Sequence, residues 1–114
     1  MNKEHIVKNN LDFQRIIKKN KPYKYKDYIL YIERNKENNY RFGFSVGKKI
    51  GKAVIRNKVK RQLRHIVSKK DYQNGFNCII IVGSNVLNKT YKEMEKNLLE
   101  VLLKNNLIKG EKNE

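Results

Sequence analysis

A change of period in the middle of the chain is the tightest constraint on its fold. Residues 40–46 (YRFGFSV) alternate strictly between bulky apolar and small or polar side chains, whereas residues 54–69 repeat at helical spacing. A period of two puts Tyr40, Phe42, Phe44 and Val46 on one face of a strand and Arg41, Gly43 and Ser45 on the other. At roughly 100° per residue, Ile55, Val59, Leu63, Ile66 and Val67 fall on one arc of a helix. The aromatic row is assigned to the core, and the helical stripe should dock on the sheet. The bare face leaves room for another backbone to approach, although strand glycines more often mark bulges.

The remaining elements follow from local signals. Asn9 or Asn10 can cap a short helix carrying Leu11, Phe13, Ile16 and Ile17, which runs out in lysines before Pro22, the only proline. Tyr28–Arg34 (YILYIER) reads as a strand, and the polar residues 35–39 that follow predict a hairpin with residues 40–46. A short third strand is expected near residues 48–54. Phe76–Val82 reads as a buried strand, and Thr90-x-x-Glu93 is a capping box opening a last helix with Tyr91, Met94, Leu98, Val101 and Leu102 inward. Residues 109–114 read as a frayed tail. The order is α-β-β-β-α-β-α in a single domain spanning residues 1–114, without internal repeat or linker.

Charge then narrows the function. Twenty-seven Lys and Arg stand against eleven Asp and Glu, for a net charge of +16 that surface ion pairing cannot cancel. Residues 38–70 contain no acid but eleven basic residues: Arg41, Lys48, Lys49, Lys52, Arg56, Lys58, Lys60, Arg61, Arg64, Lys69 and Lys70. On the helical wheel Asn57, Lys60, Arg61 and Arg64 lie beside the apolar stripe, with Arg56 at the border. Solvated helix faces normally interleave Glu with their cations; this one does not, which points to phosphate. Arg suits bidentate phosphate contact and Lys acts as a point charge, a mixture fitting a folded RNA backbone. An anionic membrane fits less well, because no large apolar stripe stays exposed once the helix docks.

Other classes drop out. Cys78 is the only cysteine, so no intramolecular disulfide can form; its apolar run marks it as a small buried hydrophobe, and a reducing, cytoplasmic setting fits. His5 and His65 lack the spacing of a metal pair and read as solvated. The start has no apolar stretch suited to a signal, and the aliphatic run 79–82 is far too short to span a bilayer. The carboxylates, as at Glu33, Glu93 and Glu95, are scattered in polar stretches, and no nucleotide loop or catalytic constellation occurs, so the protein alone is not a catalyst. Residues 41–46 and 30–35 echo the paired strands of an RNA recognition motif, but that fold needs a helix and another strand between them, and too few residues intervene.

Residues 44–64 (FSVGKKIGKAVIRNKVKRQLR) closely resemble the Arg-Asn-Arg signature region of the bacterial ribonuclease P protein subunit, and the likeness extends to Asp12-Phe13-Gln14-Arg15, to residues 28–32, to residues 79–82 and to the chain length. The resemblance implies an α+β fold, a small two-layer α/β sandwich similar to ribosomal S5 domain 2, with a left-handed β-α-β crossover against the usual right-handed rule. It also implies a role: joining a catalytic RNA that removes the 5′ leader of precursor tRNA with magnesium ions held by RNA, the protein supplying no cofactor of its own and needing no membrane or stable protein partner. By the same resemblance Lys52, Arg56, Asn57, Lys60, Arg61 and Arg64 contact the catalytic RNA. Phe13, Ile17, Tyr31, Ser45, Lys48 and Lys49 line a cleft for the leader, Ile17 giving apolar contact where many members place an aromatic. From the residues alone, parity could put Tyr31 on the bare face with Gly43 and Ser45. A structural RNA-binding protein of ribosomal or assembly type is the alternative.

Overall fold

The computed structural model describes residues 1–110, so residues 111–114 of the expected tail lie outside it. Its elements are α1 (Asn10–Lys19), β1 (Tyr23–Tyr25), β2 (Tyr28–Arg34), β3 (Tyr40–Val46), α2 (Ala53–Val67), β4 (Phe76–Val82) and α3 (Tyr91–Lys104), with 3-10 turns at Lys3–His5, Lys48–Ile50 and Ser84–Asn88. The order is the α-β-β-β-α-β-α expected. Asn9 caps α1, accepting from Leu11 N at 2.8 Å, and Thr90 and Glu93 close the capping box of α3.

The four strands lie in the order β1-β2-β4-β3, which corrects the hairpin expectation. β2 pairs antiparallel with β4, and β4 pairs parallel with β3, so β2 and β3 are neighbours in sequence but not in the sheet. The reason is in β4. Cys78, Ile80 and Val82 point to one face and Ile79 and Ile81 to the other, and only a central strand buries both faces. The turn after β2 therefore spans the width of a strand, and α2 forms the crossover joining β3 to β4.

The third strand also lies elsewhere than expected. Residues 48–54 form a 3-10 turn and the start of α2: Ile50 is buried at the end of the core, and Gly51 adopts a φ of 151° that favours glycine. The outer edge of β3 is instead met by the N-terminal segment, through an Ile6–Phe42 bridge and Val7 N donating to Phe42 O at 2.9 Å. The additional strand is β1, which folds back on β2 through Lys26 at a φ of 52°. No glycine or asparagine marks that turn.

The main core lies between the sheet and the α2–α3 pair, where Phe42, Leu63, Phe76, Ile80, Leu98 and Leu102 are fully buried. Tyr40 is half-buried there, with His5 stacked on it at 4.0 Å and donating from Nδ1 to its backbone carbonyl oxygen at 2.9 Å; His5 is thus half-buried where solvation was expected. Cys78 is fully buried, and desolvation pushes its thiol pKa well up. Ile55 departs from its predicted stripe: it is 40% exposed, because α2 reaches the sheet only one turn later, at Val59. Lys109 N donates to Asp71 O at 2.8 Å, which ties this first residue of the expected tail to the fold. On the opposite face of the sheet lies α1, over a small cluster of Val7, Ile16 and Ile79.

Candidate nucleic-acid interface

Burial of Val59, Leu63, Ile66 and Val67 fixes the rotation of α2 about its axis. Lys52, Asn57, Arg61 and Arg64 are consequently exposed, and Arg56 and Lys60 half-buried beside them. The helix starts at Lys52 with no capping side chain and no acid in its first turn. Its positive dipole end is therefore reinforced by cations, an arrangement unfavourable by itself and favourable only opposite an anion. Of the acid-free stretch, Arg41 pairs with Glu37 at 3.0 Å and Lys69 with Glu95, whereas Lys48, Lys49, Lys52, Arg56, Lys58, Lys60, Arg61 and Arg64 make no ion pair among the described residues. Arg56 Nε is buried without a hydrogen-bond partner.

The second surface is the α1 face of the sheet. Registration places three rows across it: Ile29–Ile81–Ser45, Tyr31–Ile79–Gly43 and Glu33–Asn77–Arg41. Tyr31 thus shares a face with Gly43 and Ser45, as its parity allowed. The phenyl ring of Phe13 lies on Gly43: a Cβ there would sit 2.6 Å from Phe13 Cζ and 2.6 Å from Ile79 Cδ1. The bare strand face is therefore a seat for a helix. Phe13, Ile17, Tyr31 and Ile81 are half-buried around the small cluster, neither core nor solvent-exposed.

Beyond them the first row stays open. Ile29, Ile81 and Ser45 are half-buried, and Lys24, paired with Ile29, extends the row onto β1. Lys48 and Lys49, both exposed, follow at the end of β3. The six residues expected to form a cleft thus line one side of α1 and the strand ends beside it. Sequence reasoning missed Ile29 and Ile81, whose parity with Tyr31 was available, and Lys24, whose strand carried no recognised turn.

Along the other flank of α1, Arg15 donates from Nε and Nη2 to Glu33 at 3.0 and 2.9 Å and from Nη1 to Asp12 at 2.6 Å. Asn77 Nδ2 donates to the same Glu33 carboxylate at 3.0 Å. The hydrogen bonds from Arg15, then that from Asn77, hold the Glu33 carboxyl below its ordinary pKa despite desolvation. Glu33 is therefore part of a network, not the isolated solvated carboxylate its sequence context suggested. Among the described residues no group of three or more His, Cys, Asp and Glu side chains could hold a metal ion.

A family model described as Ribonuclease P matches residues 1–106, which include both surfaces. The chain belongs to the ribonuclease P protein family. It is 39% identical over 105 residues to the ribonuclease P protein component of Mycoplasma capricolum, covering 90% of this chain and 96% of that protein. To the component from Streptococcus pneumoniae it is 38% identical over 104 residues, covering 90% and 85%. Among solved structures, the Staphylococcus aureus RNase P protein matches with a TM-score of 0.78 at 35% identity, covering 88% of this chain and 94% of that one. The Thermotoga maritima RNase P protein matches with a TM-score of 0.75 at 26% identity, covering 84% and 93%. Ribonuclease P is a tRNA-processing endoribonuclease built of RNA and protein, so this chain is a protein component of a ribonucleoprotein nuclease whose partner is the ribonuclease P RNA. No helix among the described residues is long and apolar enough to cross a membrane.

Proposed function

We propose that this ribonuclease P protein, acting in the cytoplasm, binds the catalytic RNA through Lys52, Arg56, Asn57, Lys60, Arg61 and Arg64 and holds the 5′ leader of precursor tRNA between α1 and the open sheet row. Hydrolysis belongs to the RNA; the protein adds affinity for the substrate that still carries its leader. The observation supporting a division of labour is the placement of the two surfaces: α2 packs on one face of the sheet and α1 on the other, so each can take its own strand of RNA.

The chemistry of the α1 side suits single-stranded RNA. Phe13 and Tyr31 offer ring faces for stacking, Ile17 and Ile81 offer apolar contact, Ser45 a hydroxyl, and Lys24 with Lys48 and Lys49 bracket the row with cations for phosphates. Replacement of Tyr31 by Ala tests the reading. If Tyr31 stacks on a leader base, binding of leader-bearing precursor weakens by about 1 to 3 kcal/mol while mature tRNA is unaffected. Equal loss for both substrates would reduce Tyr31 to a packing residue.

A further inference from the structure

We propose that the Arg15–Glu33–Asn77 network is a positioning device that sets the leader cleft by locking α1 onto the sheet; the proposal rests on the leader-binding reading above. The apolar contact under α1 is small. Its buried cluster comprises Val7, Ile16 and Ile79, with Phe13, Ile17, Tyr31 and Ile81 partly buried around it, against twenty-two buried residues in the core on the other face. With so small an apolar contact, a directional polar contact decides where the helix sits.

The network supplies that direction. Arg15 presents two nitrogens of its planar fork to the two oxygens of Glu33, and a third to Asp12 one turn back on its own helix. Glu33 is itself pinned by Asn77, which is only 7% exposed on the central strand. A chain of contacts therefore runs from the floor of the sheet to the axis of α1. Arg15 lies two residues from both Phe13 and Ile17, and Glu33 two residues from Tyr31. The clamp thus grips one flank of the same helix turn and the same strand whose other positions line the cleft. When it opens, α1 can roll, Phe13 leaves its seat on Gly43, and only a fraction of molecules presents the ring spacing that the leader needs; apparent affinity falls by that fraction.

Simple electrostatics makes a contrary prediction. A leader carries negative phosphates, so removal of the Glu33 charge should strengthen binding and removal of the Arg15 charge should weaken it. The clamp predicts that both Glu33→Gln and Arg15→Gln weaken leader binding, by roughly three- to tenfold, and that the double variant is little worse than either single one. Arg15→Lys, which keeps the charge but not the fork, should also weaken it.

The measurement is the affinity of the reconstituted holoenzyme for leader-bearing precursor and for mature tRNA, alongside the affinity of the protein for the catalytic RNA and the hydrogen exchange of α1 amides. Expected are a selective loss for the precursor, unchanged catalytic-RNA affinity, and faster exchange in α1 while the core strands stay protected. Tighter or unchanged precursor binding by Glu33→Gln, or additive losses in the double variant, would overturn the proposal. A Tyr31→Ala variant measured in parallel separates the two readings: if it too shows no leader-specific loss, the leader-binding reading has failed, whereas if it does and Glu33→Gln does not, only the clamp has.

Discussion

Placing a methyl group at Gly43, which has no side chain of its own to offer RNA, perturbs the cleft through Phe13. In Gly43→Ala the new Cβ would lie 2.6 Å from Phe13 Cζ, 3.0 Å from Phe13 Cε2 and 2.6 Å from Ile79 Cδ1. Carbon atoms pack at about 3.5 to 4.0 Å, so these distances must open by about 1 Å. Ile79 is fully buried on the central strand with little room to turn aside, whereas α1 rests on a small cluster. The displacement therefore falls on Phe13 and its helix. Overpacking of this kind costs roughly 1 to 3 kcal/mol, offset by the roughly 0.5 to 1 kcal/mol that alanine gains over glycine in a strand. A net loss of up to about 2.5 kcal/mol is expected in urea unfolding, together with weaker binding of leader-bearing precursor and unchanged binding of the catalytic RNA. A variant as stable as the parent, with the same preference for leader-bearing substrate, would refute the close seating of Phe13 on the sheet and the cleft geometry built on it.

Other outcomes follow from the remaining surfaces. Replacement of Arg64 by Ala should weaken binding of the catalytic RNA and flatten the log–log salt dependence by about 0.7 to 0.9 for each phosphate that the protein no longer neutralises; an unchanged slope would make Arg64 a merely solvated cation. Thr90→Ala removes the side chain that accepts from Glu93 N at 3.2 Å, and should cost about 1 kcal/mol of stability without altering RNA affinity; thermal unfolding beside a binding titration checks both halves. Glu33 contributes stability that is present above its unfolded-state pKa and lost as pH falls through its lowered folded-state value, so the acid limb of the stability curve should shrink in Glu33→Gln.

Periodicity and caps carried much of the architecture. Thr90 and Glu93 announced α3, and Phe76–Val82 was legible as a buried strand from its apolar run. The same run contained the clue to sheet order that local reading passed over: a strand apolar on both faces belongs in the centre, which separates β2 from β3. The polar stretch after Arg34 looked like a hairpin because turn chemistry reports a change of direction, not which strand lies alongside. β1 escaped notice because its turn places Lys26 at positive φ, where a glycine or asparagine would have signalled it. Ile55 fitted the helical stripe, but a wheel gives angle and not height, and its turn overhangs the sheet.

The candidate surfaces were legible to different depths. The cations of α2 stood out because charge and helical spacing are both local properties of the sequence. Phe13 and Tyr31 could be connected only through resemblance and parity, since seventeen residues separate them and a third strand, with Ile79, lies between Tyr31 and Gly43. The Arg15 clamp was invisible for the same reason: Glu33 and Asn77 pair across strands that sequence reasoning had not placed side by side.

Cleavage by the reconstituted particle tests the central claim most directly. The purified protein, added to ribonuclease P RNA at a magnesium concentration too low for the RNA alone, should restore removal of the 5′ leader from precursor tRNA. A cleavage rate unchanged by the protein would contradict the account.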